Sequence, residues 1–227
     1  AVSAALPNFI GADGFALKLD EFRGRLEPTG AKAGSNTYQE SKKLRGLSMT
    51  SNGVARDADT WGSLALTTTA RKGVTHRTTW NEAGWSDALL DFWDDFSADG
   101  KLDPRTDKSD TPTAALAVSI EVPPRGERSV EFVIAWHFPH RKAWGREPGK
   151  APAKVGNFYT TQFADAWAAA EHAATHWPKL ERETVAFVRS VVDSDLPAEV
   201  REAALFNLST LRSQTCFRTA DGRFFGW

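Results

Sequence analysis

The residue types best suited to chemistry are the acidic side chains between Asp91 and Asp103, which surround a Trp and a Gly. Four residues there resemble the front of a calcium loop, in which oxygen ligands alternate before a glycine turn: Asp95, Ser97, Asp99 and Gly100. The twelfth position of that loop would be Thr106, where a calcium-binding loop of this kind carries a bidentate Glu. We therefore interpret the cluster as a capped, solvated turn, with calcium binding as the alternative.

The acidic residues of this cluster are also candidates for catalytic carboxylates. Hydrolysis of a glycosidic bond uses two carboxyl groups roughly 5–9 Å apart, one on each side of the bond. Asp94 and Asp95 are adjacent and point in different directions, so they would not straddle a substrate. Asp99 and Asp103 complete the cluster without adding a recognisable pair. The sequence predicts no catalytic carboxylate in this chain.

Two histidine pairs have spacings that a zinc site could use. His172 and His176 are one helical turn apart, but no Glu or third ligand is close in sequence, which favours an exposed helix face. His137 and His140 follow a predicted strand, and we interpret them as a structural strand end.

Cys216 has no second cysteine or other evident partner. The chain also lacks a Gly-x-Ser-x-Gly elbow and a Gly-rich phosphate loop, so we predict no catalytic residue, metal or cofactor.

Composition narrows the class of protein. The chain has 227 residues, 41% of them apolar, and a net charge of −1, which gives no broad field for nucleic acid or an anionic membrane. The chain has nine Trp residues, which is an unusually high number. A flat indole can either stack on a sugar or fill a sandwich core. An exposed row of coplanar Trp rings would favour a sugar-binding module, and buried rings would favour a structural role.

Strand patterns dominate up to about residue 160. Two alternating runs, Ala114–Val122 and 130–136, are predicted to form an antiparallel hairpin, and Trp61–Thr69 with Gly73–Trp80 a second. With no helix predicted between them, these strands indicate a mainly β fold, an antiparallel β-sandwich. The inward face of a central strand is predicted to carry four apolar side chains: Val130, Phe132, Ile134 and Trp136. Residues 22–44 and 139–156 are polar and Gly-rich, and are predicted as long loops.

The pattern becomes helical at Phe163, where an Ala-rich run begins, and Pro178 is predicted to kink or restart the helix. One stripe beyond it is predicted to be buried: Leu180, Thr184, Phe187, Val188, Val191 and Val192. A second helix is predicted from Asp195, with Asp195 as its cap. Its own stripe is expected to be exposed, docked on the sandwich or paired with another copy: Val200, Ala204, Leu208 and Leu211. An interrupted hairpin follows this helix.

Six segments, taken in order, carry a resemblance to a known family. They are LRGLSMTSNGV (44–54), WGSLALTT (61–68), FWDDFSADG (92–100), FVIAWHFP (132–139), GNFYTTQFADAW (156–167) and LPAEVREAALFN (196–207). Together they resemble the non-lysosomal glucosylceramidases, or bile-acid β-glucosidases, in their bacterial form. The resemblance covers most of the chain.

This resemblance implies a two-domain retaining β-glucosidase, in which an N-terminal β-sandwich packs against an (α/α)6 barrel. The barrel of that family holds a Glu nucleophile and an Asp acid/base, and no residue of this chain matches either. We expect three parts in the chain. The sandwich is expected to occupy 1–162 and to lack its N-terminal part. A helical connector is expected at 163–194, and the start of a truncated barrel at 195–227. Animal members follow the Leu-Phe-Asn motif with Glu-Leu-Tyr, whereas this chain has Leu208-Ser209-Thr210, so glucosylceramide is not implied as the substrate.

The expected role is to brace the barrel and shape its sugar cleft. The alternatives are another sandwich-plus-barrel sugar enzyme, such as a glucoamylase-like hydrolase or a disaccharide phosphorylase, or a stand-alone carbohydrate-binding module. The expected partner is a β-glucoside or glucolipid substrate bound through the barrel, with self-association through the terminal helix as a further expectation. Neither nucleic acid nor a membrane is expected as a partner, and the cytoplasm is the favoured location.

Overall fold

The computed structural model describes residues 1–19, 24–81, 87–143, 151–212 and 216–226. It contains three α-helices: α1 (Asp87–Asp99), α2 (Ala166–Val192) and α3 (Ala198–Asn207). Its strands are β1 (Val2–Pro7), β2 (Gly14–Leu19), β3 (Gly24–Thr29), β4 (Gly34–Glu40), β5 (Arg45–Ser51), β6 (Ser63–Thr68), β7 (Val74–Arg77), β8 (Thr113–Val118), β9 (Phe132–His137), β10 (Cys216–Arg218) and β11 (Phe224–Gly226). Short 3-10 turns span Phe158–Thr161 and Leu208–Arg212.

Two antiparallel sheets form the body of the molecule, as the strand patterns predicted. One sheet has the strand order β1-β8-β7 and the other the order β4-β5-β6-β9. Strands β2 and β3 pair separately, and β10 and β11 form the terminal hairpin that the sequence predicted. The fold is therefore mainly antiparallel β, with helices added at its faces.

The core lies between the two sheets because alternate side chains of each sheet point inward. Its central cluster consists of buried apolar residues: Ile10, Leu47, Met49, Leu64 and Ala114. The other face of β8 is also buried, since Ala115 and Ala117 pack with Phe92 of α1 and with Leu102. On the far side of the molecule, the first turn of α2 contacts the four-stranded sheet, where the backbone amide of Ala166 donates to Ser63 Oγ at 3.0 Å.

Both predicted hairpins are wrong. The runs 114–122 and 130–136 lie in different sheets, because β8 pairs with β1 and β7 whereas β9 pairs with β6. The second predicted pair separates in the same way, with β6 in the four-stranded sheet and β7 in the three-stranded sheet. A turn between two strands can close a hairpin or cross the core to the opposite sheet, and alternation of side chains is the same in both cases.

The prediction that no helix interrupts the strands is also wrong, since α1 lies between β7 and β8. The predicted loop 22–44 contains β3 and β4, whose polar residues mark partly exposed strands rather than irregular chain. The predicted loop 139–156 has a single isolated bridge, Lys142 to Lys154, among its described residues. Residues 144–150 lie outside the described part of the chain.

The strand that was predicted to be central lies at an edge. Its partner is β6 alone among the described residues. Ile134 and Trp136 oppose Leu66 and Leu64, so they share the inward face, as predicted. They are nevertheless 49% and 58% exposed, because the smaller three-stranded sheet covers only part of the larger one. Val130 precedes the strand.

Helix α2 continues through Pro178 without a restart, because the Ala-rich run before it and the Lys, Leu, Glu and Arg residues after it favour the helix. Its cap is Asp165, whose Oδ1 accepts from the amide of Ala168 at 2.8 Å. Helix α3 begins after Pro197, which occupies its cap position, so the predicted cap at Asp195 is wrong. The stripe predicted to be buried on α2 is largely exposed, with Phe187 at 51%.

Tyr38 of β4 and His76 of β7 close one side of the sandwich. Their rings stack with centroids 3.9 Å apart and planes 6° apart. Burial lowers the pKa of His76 below its usual value. Burial, followed by the hydrogen bond to Glu40, raises the pKa of the Tyr38 hydroxyl to about 12. The stack is therefore formed by two neutral rings at neutral pH.

This stack predicts a dependence of stability on pH. As the pH falls through about 6.5, the unfolded chain takes up a proton at His76 before the folded chain does, so the free energy of unfolding should decrease. His76→Phe keeps an aromatic ring against Tyr38 without the titration. Urea melts across this pH range should show a smaller decrease for the variant. Identical pH dependence in the two proteins would contradict the assignment.

Candidate functional site

The acidic cluster of α1 is tied to a buried arginine. Arg77 of β7 is fully buried, and its Nη1 and Nη2 lie 2.7 and 2.6 Å from carboxylate oxygens of Asp91 and Asp95. Its Nε donates to the Asp103 carbonyl at 2.8 Å. Arg105 binds Asp91 from the other side at 2.7 Å, and hydrogen bonds from Arg105 first and Arg77 second lower the pKa of the Asp91 carboxyl.

These ion pairs assign the cluster a structural role. Asp95 is held by Arg77 and also accepts from the amide of Asp103 at 3.0 Å, so it does not face a ligand. Asp99 accepts from the amide of Lys101 in a turn that ends α1, close to the predicted capped turn. Asp94 is exposed on the helix. No group of three or more His, Cys, Asp or Glu in the described residues is arranged to hold a metal.

The histidines also make structural contacts. His137 is buried and its Nε2 donates to the Phe163 carbonyl at 2.9 Å, which joins β9 to the segment before α2. His140 donates through Nε2 to the Arg56 carbonyl at 2.7 Å. His176 donates through Nδ1 to the His172 carbonyl at 2.9 Å, and both rings lie on an exposed helix face, as predicted.

The described Trp residues match neither pattern considered for them. Trp80 stacks on Phe92, with centroids 4.7 Å apart, and helps to seal α1 to the sheet. Three others are 58–59% exposed but lie on three different elements, α1, β9 and α2: Trp93, Trp136 and Trp177. No exposed pair among the described Trp residues stacks ring on ring, so they form no row of platforms.

The terminal hairpin is attached to the sandwich by arginine–aromatic contacts. The guanidinium of Arg141 lies 3.8 Å from the Phe217 ring centroid, and that of Arg218 lies 3.6 Å from the Phe158 ring centroid. Burial lowers the pKa of Arg141. Cys216 is a half-buried free thiol at the start of this hairpin. The residues after α3 are thus held against the segment that leads into α2.

A polar cleft of about 710 Å³ opens at one end of the sandwich, where strands β4 and β8 begin and β5 and β7 end. We call it the end cleft, and its main lining residues are Ser35, Asn36, Asn52, Thr78, Arg105 and Asp110. Beneath it, the fully buried Asn8 donates to the Thr50 carbonyl at 2.8 Å and to Asn36 Oδ1 at 3.0 Å.

A second exposed surface runs along α2. The helix has 27 residues, and every residue from Thr175 to Ser190 is exposed. Four apolar side chains and one threonine nevertheless recur there at alternating spacings of three and four: Trp177, Leu180, Thr184, Phe187 and Val191. We call these five residues the α2 stripe. A stripe with this spacing is the pattern of a helix that packs against other helices.

Sequence reasoning did not identify Arg77, Arg105, Asn8 or Asn36. Arg77 could have been found, because a charged residue inside an apolar strand needs a partner and the acidic run follows closely. The two asparagines carry no comparable pattern. No helix in the described residues is long and apolar enough to cross a membrane.

The two antiparallel sheets that lead into a long helix define the class of fold, an antiparallel β-sandwich domain followed by a helix. The family model described as "beta-glucosidase 2, glycosyl-hydrolase family 116 N-term" matches residues 2–180. The chain therefore belongs to the N-terminal domain family of the family 116 glycosyl hydrolases. No curated protein matches the chain.

Proposed function

We propose that this sandwich braces the helical catalytic domain of a β-glucosidase-like glycoside hydrolase and shapes one side of its sugar cleft. The observation that carries the proposal is the α2 stripe. Its apolar side chains from Trp177 to Phe187 are exposed, with Trp177 at 58% and Phe187 at 51%. Large apolar side chains that are exposed together on one face of a helix often mark a contact with another protein surface. A helical domain offers the partner helices that such spacing fits.

The attachment of α2 supports the same role. The helix begins against the four-stranded sheet through Ala166 and Ser63, and the buried His137 ties the preceding turn to β9. The terminal hairpin is held through Arg141 and Arg218. A helix anchored at one end in this way would hold a neighbouring domain at a defined position relative to the sandwich.

The test mixes this chain with a separately expressed helical catalytic domain of a family 116 β-glucosidase. We expect a one-to-one complex by size exclusion with light scattering, because burial of the α2 stripe removes apolar surface from water. Phe187→Ser should weaken the complex. The matched control Arg182→Ser, on the opposite face of α2, should not. The chain alone should hydrolyse no aryl β-glucoside, since the family resemblance supplies no catalytic residue for it.

Absence of a complex would contradict bracing, as would equal weakening by both variants. A homodimer of the chain that Phe187→Ser dissociates would instead support self-association through the α2 stripe. Turnover of the glucoside by the chain alone, lost on changing one of its own carboxylates, would contradict the placement of the chemistry in the other domain.

A further inference from the structure

We propose that the end cleft is a binding site for a small neutral saccharide. The inference uses membership of a β-glucosidase family and does not depend on the bracing role. It rests on four properties of the cleft: its size, its free hydrogen-bonding groups, its charge balance and its rigidity.

The size of the end cleft suits a saccharide of one or two rings. Its volume of about 710 Å³ lies inside the range of roughly 300–1,000 Å³ that is typical of small-molecule sites. It is also formed from loops at one end of a rigid sandwich, the position at which sandwich domains commonly carry binding residues.

The lining presents hydrogen-bonding groups that the protein itself does not use. Within the described residues, the side chains of Ser35, Asn52, Thr78 and Thr106 make no hydrogen bond. A hydroxyl both donates and accepts, and an amide offers a donor and an acceptor on one side chain. Sugar hydroxyls need both functions at each position, so this set matches a polyhydroxylated ligand better than an apolar one.

The charges at the end cleft favour a neutral ligand. Arg105 is occupied by Asp91, which it contacts through Nε and Nη2. Lys108 also lines the cleft, together with the two carboxylates of Asp107 and Asp110. An anion such as phosphate would therefore meet one lysine opposed by two carboxylates.

The walls of the end cleft are fixed before any ligand arrives. Asn36 Nδ2 donates at 2.8 Å to the carbonyls of both Thr78 and Pro112, which joins the two sheets below the cleft. Asp110 Oδ1 accepts from the amide of Ala33 at 2.6 Å. At Gly34 an added Cβ would lie 2.7 Å from the Asp110 carbonyl, so the loops are closely packed. A preformed site loses less conformational entropy on binding.

The test is an NMR titration of the 227-residue chain with cellobiose, with inorganic phosphate as the comparison probe. We expect weak binding, with shifts confined to amides that line the end cleft, and no comparable response to phosphate. The double variant Asn52→Ala/Thr78→Val should lower the affinity about tenfold through the loss of two hydrogen-bonding side chains. It should still fold, because neither side chain bonds to a described residue. Thr37→Val, on the exposed face of β4, is the matched control.

Three results of the cellobiose titration would overturn the proposal. They are no shift at saturating cellobiose, shifts located away from the end cleft, and equal affinity in the double variant and the control. Stronger binding of phosphate at the same amides would also overturn it, because the ligand class would then be anionic.

Discussion

Arg77→Ala should lower the free energy of unfolding by about 3–5 kcal/mol, the loss expected when one partner of a buried ion pair is removed. The guanidinium is fully buried and faces two carboxylates, Asp91 and Asp95. Without it, Asp95 loses its cation and Asp91 keeps only Arg105. Helix α1 should then detach from the three-stranded sheet more readily, and its amides should exchange hydrogen faster.

Urea melts of three variants would test this expectation. Arg77→Lys should give an intermediate loss, because an ammonium group cannot reach both carboxylates as a planar guanidinium does. Lys101→Ala removes an exposed partner of Asp99 and should change stability by about 0.5 kcal/mol or less. A loss for Arg77→Ala no larger than that for Lys101→Ala would show that the buried network does not hold α1.

Leu66→Ala should lower the free energy of unfolding by about 2–5 kcal/mol, the range for a leucine removed from a packed core. Leu66 lies on β6, fully buried between the sheets. Its register partner on β9 is Ile134, which shares the inward face but is 49% exposed. Ile134→Ala should therefore lose about 1 kcal/mol or less.

The two variants alter opposed positions of one strand pair, so they compare a central strand with an edge strand directly. Denaturant melts would measure the decrease in the free energy of unfolding for each variant, provided that the slope of this free energy against denaturant concentration is unchanged. Similar large losses at both positions would mean that β9 is covered and central, as the alternation of its side chains first suggested.

The sequence predicted the class of fold because period-two alternation in β8 and β9 reports burial on a strand. It could not predict which strands pair, since the turns after β6 and β8 cross between sheets rather than closing hairpins. The family resemblance was based on segments spread along the chain, and it was confirmed over residues 2–180.

Side-chain partners were harder to predict than strands. Helix α1 was missed because the acidic residues of the segment suggested a solvated turn, whereas Asp91 and Asp95 are neutralised by Arg77 across the sheet. On α2 the sequence predicted one buried stripe because its spacing is that of a packed helix: Leu180, Thr184, Phe187, Val188, Val191 and Val192. The described residues supply no surface that covers it. The division into 1–162, 163–194 and 195–227 stays a prediction.

The strand pairing has a consequence for the order of folding. Val2 of β1 pairs with Val118 of β8, and Ser63 of β6 pairs with His137 of β9. Contacts between residues so distant along the chain require large loops to close, which slows folding. During synthesis β1 leaves the ribosome long before β8 exists, so its apolar face must wait without its partner. The dependence of folding on chaperones should therefore be greatest after β1 has been synthesised and before β8 has been.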